Sequence, residues 1–147
     1  MQTVYLDYNC FQRPFDNPLD IRIQIEALAC MEIIHRAEEG QIDLVWSFMH
    51  DDESRQCPFP ERRAEMQQLS TLCRKRQRPT EQIRNVALRF GDEQNLSAKD
   101  ALHLAAAVEA GAGVMVSCDD VFLHRAKRIG LEIALMNPVD YIRNAAL

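Results

Sequence analysis

The sequence predicts an α/β fold, in which helices cover both faces of a mostly parallel sheet in a three-layer α/β/α sandwich. Short β-branched and aromatic segments alternate with longer amphipathic ones along the 147 residues, and this alternation is typical of strands joined by helical crossovers. The length suits one domain with its own core. No repeat or interdomain linker is visible, so we assign residues 1–147 to a single domain.

The first part of the chain is predicted to form two strands, each followed by a helix. Thr3–Leu6 is a short β-branched and aromatic segment, which indicates a buried strand. Apolar residues then recur with helical spacing over residues 19–39, and Gly40 is the expected C-cap. A second strand over residues 42–46 leads into a short helix that Ser47 can cap and that runs through Glu53.

Two charged helices are predicted after the break at Cys57-Pro58-Phe59-Pro60. They span residues 61–76 and 80–90, and Gly91 is expected to end the second. A compact basic run at residues 74–78 is interpreted first as a solvated helix end.

The last third of the chain supplies two further strands, for a predicted total of four. An alanine-rich helix opens at Ser97, and small residues let such a helix lie close against a sheet. The predicted elements are a helix over 97–109, a strand over 114–117, a helix over 119–128, a strand over 132–135 and a short helix after Asn137-Pro138.

Composition indicates a globular protein of the cytoplasm. Hydrophobic residues make up 47% of the chain and charged residues 27%, with no apolar stretch long enough for a membrane span and no signal peptide. The net charge of −5 argues against a broadly basic nucleic-acid-binding surface, although not against a local one. Five cysteines without a CxxC pair are interpreted as reduced thiols, not as a disulfide framework or a zinc site.

Four acidic residues are placed where a strand should end or a helix should begin. Asp7 follows the first strand, Glu53 comes after the second, Asp100 lies in the first turn of a helix, and Asp119 lies just past the third strand. Parallel α/β sheets bind ligands beyond the carboxyl ends of their strands, so the four acids could share one cleft. Carboxylates suit Mg²⁺ or Mn²⁺, which can position a phosphodiester and activate a water.

Each acid also has a purely structural explanation. Asp100 and Ser97 resemble a capping pair, Asp119 can cap its own helix, Asp7 can open a turn, and Glu53 belongs to an exposed-looking acidic run. The order of the four positions along the chain favours the metal site over four separate coincidences.

Two blocks of the sequence resemble the PIN-domain family of metal-dependent nucleases. The first is VYLDYNCFQRPFD, and the second is SAKDALHLAAAVEAGAGVMVSCDDVFLHRA. The second block contains an Asp that opens an alanine-rich helix, then a strand, then a Thr/Ser-x-Asp-x-x-Phe element in which Asp119 rather than Asp120 matches. The resemblance extends from Val4 to about Asn144, and its middle part is weak.

The resemblance implies a PIN-like fold and a defined set of site residues. Catalysis and metal ligation would involve Asp7, Glu53, Asp100 and Asp119, with Asn9 and Ser117 as supporting polar groups. Asp51 and Asp52 compete with Glu53, and Tyr8 stands where many members carry a smaller residue. His103 is interpreted as a packed or hydrogen-bonded helix histidine rather than a ligand.

The predicted function is metal-dependent hydrolysis of RNA by an endoribonuclease that uses Mg²⁺ or Mn²⁺. The resemblance also implies a toxin–antitoxin context with a small antitoxin protein as one option, and a homodimer. The apolar stripes of the helices over 19–39 and 61–76 could form the dimer interface, although the default use of such stripes is the core. Arg13 and the basic run near Arg74 could attract the RNA backbone.

Two alternatives remain open at this point. One is a PIN-fold binding module whose acids no longer form a working site. The other is a phosphatase or phosphotransferase with Asp7 as nucleophile, which is disfavoured because Asn9 replaces the second Asp of the usual paired motif.

Overall fold

A parallel five-stranded sheet organises the protein, which we describe from a computed structural model over residues 1–145. The strands are β1 (Thr3–Leu6), β2 (Asp43–Ser47), β3 (Lys75–Gln77), β4 (Val114–Val116) and β5 (Ala134–Met136). Their order across the sheet is β3-β2-β1-β4-β5, and all neighbouring pairs are parallel. The carboxyl ends of β1 and β4 therefore lie side by side at one edge, where the candidate acids were expected.

Helices cover both faces of the sheet. They are α1 (Tyr8–Gln12), α2 (Ile21–Glu38), α3 (Phe48–Gln56), α4 (Pro60–Ser70), α5 (Glu81–Gln94), α6 (Ala98–Glu109), α7 (Asp120–Lys127) and α8 (Pro138–Ala145), with a 3-10 turn at Arg13–Phe15. Residues of α1, α2, α4 and α8 pack in one hydrophobic cluster, and residues of α5, α6 and α7 pack in a second. This arrangement confirms the predicted three-layer α/β/α class.

The strand β1 shows why the sequence forms a two-sided sheet. Val4 and Leu6 belong to the first hydrophobic cluster, whereas Tyr5 belongs to the second. Successive side chains of a strand point to opposite faces, and all three residues are completely buried. A continuous apolar run is therefore what a central strand covered on both faces requires. Among the described residues, no helix is both long and apolar enough to cross a membrane.

The prediction of a helix over residues 61–76 was wrong at its carboxyl end. The helix α4 stops at Ser70, and Lys75–Gln77 forms the edge strand β3 beside β2, with Val45 opposite Lys75. Two of the three residues of β3 are exposed, and charged residues on an edge strand discourage pairing with other chains. Such a strand has no apolar pattern that the sequence could reveal.

Gly91 does not end the helix that was predicted over residues 80–90. The helix α5 continues to Gln94 and ends at Asn95, which adopts a left-handed conformation with φ of 55°. Asparagine tolerates this C-cap conformation better than most residues. The cost of an interior glycine is only about 1 kcal/mol, and burial of the neighbouring Phe90 offsets it. Every other predicted element is present, with small shifts at its ends.

A buried histidine that the sequence did not single out ties α3 to the sheet. His50 Nε2 donates to the carbonyl oxygen of Leu6 at 2.8 Å, and its Nδ1 accepts from the backbone N–H of Ser47 at 2.9 Å. With the Ser47 side chain as acceptor, this forms a capping box at the start of α3. The His50 ring also stacks on Trp46, with 4.9 Å between the ring centroids. The carboxyl ends of β1 and β2 are thereby held in a fixed relation.

His50 should make the stability of the protein depend on pH. Burial, followed by repulsion from His103, lowers the pKa of His50 from 6.5 to about 3. Between these two pH values the unfolded chain binds a proton at His50 that the folded chain does not. The free energy of unfolding should fall as pH decreases through this range, by at most about 1.4 kcal/mol per pH unit from this group. In His50→Gln the dependence should be flatter. Urea unfolding across a pH series measures both slopes, and identical slopes would contradict the assignment.

Candidate metal centre

Asp7 lies directly after β1 and is held by the loop that follows β4. Its Oδ2 accepts hydrogen bonds from Ser117 Oγ at 2.7 Å and from Asn9 Nδ2 at 3.3 Å. The residue is only 8% exposed, and its side chain makes no capping hydrogen bond to α1. A turn-opening role therefore does not account for its position. Both side-chain hydrogen bonds fall on Oδ2, which leaves Oδ1 available to a cation.

Asn9 and Ser117 join the segments that follow β1 and β4. Asn9 Oδ1 accepts from the backbone N–H of Cys118 at 3.1 Å, and Asn9 Nδ2 also donates to Ser117 Oγ at 3.3 Å. Ser117 Oγ in turn accepts from the backbone N–H of Asp119 at 3.1 Å. Asn9 and Ser117 thus orient Asp7 and also fix the start of the loop that carries Asp119.

Glu53 reaches Asp7 from α3. One ligand atom from each of Asp7, Glu53 and His103 lies within 4.8 Å of the others, although Glu53 is separated from Asp7 and His103 by long stretches of chain. Glu53 Oε1 lies 2.5 Å from His103 Nε2, and Oε2 lies 3.2 Å from Lys99 Nζ. This three-residue set, Asp7–Glu53–His103, is the acidic cluster of the protein.

The two acids that compete with Glu53 are engaged elsewhere. Asp51 accepts a hydrogen bond from Trp46 Nε1 at 2.8 Å, and Asp52 accepts one from Gln56 at 3.2 Å. A helix turns by about 100° per residue, so these neighbours face different directions. The geometry places Glu53, rather than Asp51 or Asp52, beside Asp7.

His103 is buried and hydrogen-bonded, as the sequence predicted, but its partner was not foreseen. Its Nδ1 lies 2.6 Å from the Tyr5 hydroxyl, which itself lies 2.7 Å from Ser47 Oγ. His103 Nε2 is thereby aimed at Glu53. The available signal was spacing, because His103 lies three residues after Asp100 and so shares its face of α6.

Asp100 lies in the first turn of α6, and Asp119 is the N-cap of α7. The Asp100 N–H donates to Ser97 Oγ at 3.1 Å at the start of α6, and Asp119 Oδ1 accepts from the Phe122 N–H at 3.0 Å at the start of α7. Burial, followed by repulsion from Asp119, raises the pKa of Asp100. Within the described chain the tight group comprises Asp7, Glu53 and His103. Asp100 repels Asp7, and Asp119 repels Asp100.

The charges around the acidic cluster favour a cation. Burial raises the pKa of Asp7, attraction to His103 and the hydrogen bond from Ser117 oppose this, and repulsion from Glu53 and Asp100 adds to it. Burial acts to lower the pKa of Lys99, but attraction by Glu53, Asp7 and Asp100 outweighs it. The Lys99 ammonium therefore already lies in the field of three carboxylates. Carboxylate oxygens are the donors that hard divalent cations such as Mg²⁺ and Mn²⁺ prefer.

Two cavities flank this site. One of about 210 Å³ lies beside Glu53 and is lined by Tyr8, Phe59, Arg62 and Lys99 among others. The second, of about 320 Å³, lies beside Asp119. Phe59 is 56% exposed, and the Arg62 guanidinium lies over its ring. Phe59, Arg62 and Lys99 thus share a cavity with Glu53, and no pattern in the sequence indicated this.

The basic run at residues 74–78 is not a helix end, and it begins near the amino ends of the strands. Arg74 lies 3.4 Å from Asp43, which is the first residue of β2. The candidate metal centre lies at the carboxyl ends of the strands, where Ser47 ends β2. Arg74 therefore lies away from the acidic cluster, whereas the run continues to the carboxyl ends of the strands, where Gln77 lies opposite Ser47.

Comparison with known proteins supports the fold. No family model matches the chain, and no curated protein matches it in sequence. Seven chains of solved structures match it, among them a chain in the crystal structure of FitAcB from Neisseria gonorrhoeae, with a TM-score of 0.60 and 14% identity. That match covers 92% of this chain and 97% of the other. At this level of identity the likeness defines the fold class, which is PIN-like α/β.

Proposed function

We propose that this protein is a metal-dependent endoribonuclease of PIN type that hydrolyses RNA phosphodiester bonds. The observation that carries the proposal is the convergence of Asp7 and Glu53, from distant parts of the chain, on His103 at the carboxyl edge of the sheet. The shared fold adds support, since open parallel sheets bind their ligands at this edge. We assign metal ligation and catalysis to Asp7, Glu53, Asp100 and Asp119, with Mg²⁺ or Mn²⁺ as the ion.

In this proposal the residues of the chain divide into anchors and supports. Asp7 and Asp119 anchor the ion, and Glu53 and Asp100 complete the pocket directly or through water. Asn9 and Ser117 hold Asp7 in place through their hydrogen bonds. Lys99 must release Glu53 Oε2, which its largely exposed side chain can do at low cost. The ion would stabilise charge on the phosphodiester and lower the pKa of an attacking water.

The cavity beside Glu53 is the proposed path of the RNA strand. Arg62 and Lys99 supply positive charge for phosphates, and Tyr8 and Phe59 supply aromatic surface on which bases can stack. These groups compensate locally for the repulsion between an acidic pocket and a polyanion.

Arg62→Gln should weaken RNA binding about 3- to 10-fold, because one phosphate contact is lost. The slope of log affinity against log salt should decrease by about 0.7, the value for one charge on a single strand. Fluorescence anisotropy with labelled RNA, in an Asp7→Asn background that prevents cleavage, measures both quantities. Arg74→Gln is the matched control and should leave the affinity and the salt slope unchanged, because Arg74 pairs with Asp43 at the amino end of β2. Weaker binding by Arg74→Gln, with no effect of Arg62→Gln, would instead favour the basic run as the RNA contact.

We also propose a homodimer formed through α2. Apolar residues on this helix are exposed at helical spacing, and they are Ile21, Ile25, Leu28 and Met31. Cavities of about 400 and 290 Å³ flank the stripe. A single apolar stripe suits a two-fold interface, in which the same patch of both subunits meets itself. The helix over residues 61–76, the other sequence candidate, is shorter than predicted and ends at Ser70.

Leu28→Glu should convert the dimer into a monomer, because it places a charge at the centre of the α2 stripe. Light scattering at several protein concentrations measures the mass. Leu88→Glu is the control, since Leu88 is a leucine of α5 outside the stripe and is 59% exposed, against 67% for Leu28. The mass of this variant should equal that of the wild type. A wild-type chain that is monomeric at high concentration would contradict the dimer.

For the cellular context we propose a single-domain cytoplasmic toxin, formed by residues 1–147 and held inactive by a small antitoxin protein. This follows from the resemblance of the sequence to PIN-domain toxins and from the free thiols of the described chain. Expression in bacteria should arrest growth, and the Asp7→Asn variant should not. Harmless expression of an active enzyme would contradict the toxin assignment.

The activity itself is tested by incubating the purified protein with single-stranded and structured RNA, with Mn²⁺, with Mg²⁺ or with a chelator. We expect cleavage that requires the metal. If Mn²⁺ raises the thermal midpoint but no RNA is cut, the binding-module alternative is supported instead. If neither occurs, the acidic cluster is not a metal site.

A further inference from the structure

Three of the five cysteines meet in the core, although they are far apart in the sequence. Cys10 lies on α1, Cys30 on α2 and Cys118 in the loop after β4. Their sulfur atoms all lie within 4.8 Å of one another, and the Cys10 and Cys118 sulfurs are 3.6 Å apart. The first two residues are fully buried, and Cys118 is 6% exposed. Cys57 and Cys73, which are also buried, are not part of this group in the described chain.

The spacing of these sulfurs is compatible with a shared metal ion. A zinc ion with Zn–S bonds of about 2.3 Å in tetrahedral geometry holds its sulfurs about 3.8 Å apart. The observed 3.6 Å between Cys10 and Cys118 is close to that value, whereas a disulfide requires about 2.05 Å. Three sulfurs from three separate elements also match the donor number of a site that leaves one position open.

One cationic group lies beside the three thiols. Three thiolates and one Zn²⁺ carry a net charge of −1, and the Arg13 guanidinium lies against Cys118. Arg13 Nε also lies 3.4 Å from the buried carboxylate of Glu26 and makes no hydrogen bond within the described chain. The cavity of about 320 Å³ that Cys118, Arg13 and Glu26 line gives an ion a path to the sulfurs.

We propose that Cys10, Cys30 and Cys118 form a second metal site, selective for a thiophilic cation such as Zn²⁺. Thiolate sulfur prefers Zn²⁺ to the hard ions that carboxylates bind, so the two sites of the protein take different metals. On binding, each S–H bond gives its proton to the solvent as a sulfur–metal bond forms. Cys10 adjoins Asn9, and Cys118 lies between Ser117 and Asp119, so the ion ties together the two segments that hold Asp7.

The reduced, metal-free protein should be titrated with Co²⁺ and with Cd²⁺ in the absence of oxygen. We expect one equivalent of Co²⁺ to produce sulfur-to-metal charge-transfer absorption, and excess Mg²⁺ not to remove it. Cd²⁺ should protect three thiols from alkylation. At about 100-fold excess over the dissociation constant, Zn²⁺ should raise the thermal midpoint by about 5–10 °C.

Variants separate this site from other thiols and from the acidic cluster. Cys30→Ala should abolish the charge-transfer absorption, whereas Cys73→Ala, the matched buried control, should retain it. Asp7→Asn should also retain it, so failure of the nuclease proposal leaves this test intact. Because Cys30→Ala could disturb folding, the NMR resonance of ¹¹³Cd bound to the wild-type protein gives a second measurement. A resonance typical of oxygen ligands, or absorption that survives in Cys30→Ala, would overturn the proposal.

Discussion

The Asp7→Asn variant should lose Mn²⁺-dependent RNA cleavage by about 100-fold or more, equivalent to about 2.7 kcal/mol of transition-state stabilisation. Its metal-free form should nevertheless be at least as stable as the wild type. Burial raises the pKa of Asp7, which means that the folded protein opposes the charge on this carboxylate. Asparagine has the same shape without the charge, and its side-chain oxygen can still accept from Ser117 Oγ.

The dependence of this effect on pH has a definite sign. The folded pKa of Asp7 lies above its unfolded value, so the contribution of this group to stability is present at low pH and is lost as pH rises through the folded pKa. Above the folded pKa the metal-free wild type therefore carries a buried, charged Asp7 carboxylate that lowers its stability. The Asp7→Asn side chain is neutral and does not have this cost. Adding Mn²⁺ should raise the thermal midpoint of the wild type and leave that of the variant unchanged.

Asp52→Asn provides the matched control for Asp7→Asn. Asp52 was a sequence candidate for the metal site, but its carboxylate accepts from Gln56 and lies outside the acidic cluster. Cleavage and Mn²⁺ protection should both be retained in this variant. Full activity in Asp7→Asn would defeat the nuclease assignment, and a large loss of metal-free stability would show that Asp7 serves the fold instead.

Residues with strong local patterns were predictable from the sequence. The β1 strand is a short run of buried residues, and Asp7 follows it directly, so position along the chain alone placed this acid at the edge of the sheet. Ser47 and Ser97 were recognised as helix caps, and both accept the expected backbone hydrogen bonds. The β3 strand was missed because an exposed edge strand of three polar residues has no apolar periodicity.

The choice among Asp51, Asp52 and Glu53 depended on tertiary packing. Residues two apart on a helix differ by about 200° in direction. If the helix α3 began one residue earlier or later, a different acid of the three would face Asp7. The His50 capping box and the Trp46 contact fix the rotation of α3, and only the folded structure contains this information. The same holds for Cys10, Cys30 and Cys118, whose spacing along the chain resembles no metal motif.

His103→Gln should raise the Mn²⁺ concentration needed for half-maximal cleavage by about 10- to 100-fold, the usual cost of removing a group that orients a ligand. His103 is a positioning residue in this proposal, because its Nε2 holds Glu53 Oε1 while its Nδ1 is fixed by the Tyr5 hydroxyl. Glutamine is too flexible to hold both partners. The rate at saturating Mn²⁺ should recover to within a few-fold of the wild type, since excess metal compensates for a poorly oriented carboxylate.

The recovery at high Mn²⁺ separates two roles that the geometry of the acidic cluster allows for His103. If its nitrogen binds the ion directly, the maximal rate should stay low at any Mn²⁺ concentration, as in Glu53→Gln. If His103 only orients Glu53, the Mn²⁺ concentration needed for half-maximal cleavage should rise while the maximal rate stays close to that of the wild type. His124→Gln, an exposed histidine of α7, should change neither quantity. Loss of a buried partner for Tyr5 costs about 1–3 kcal/mol, so the assay belongs at a temperature where unfolding curves show His103→Gln fully folded.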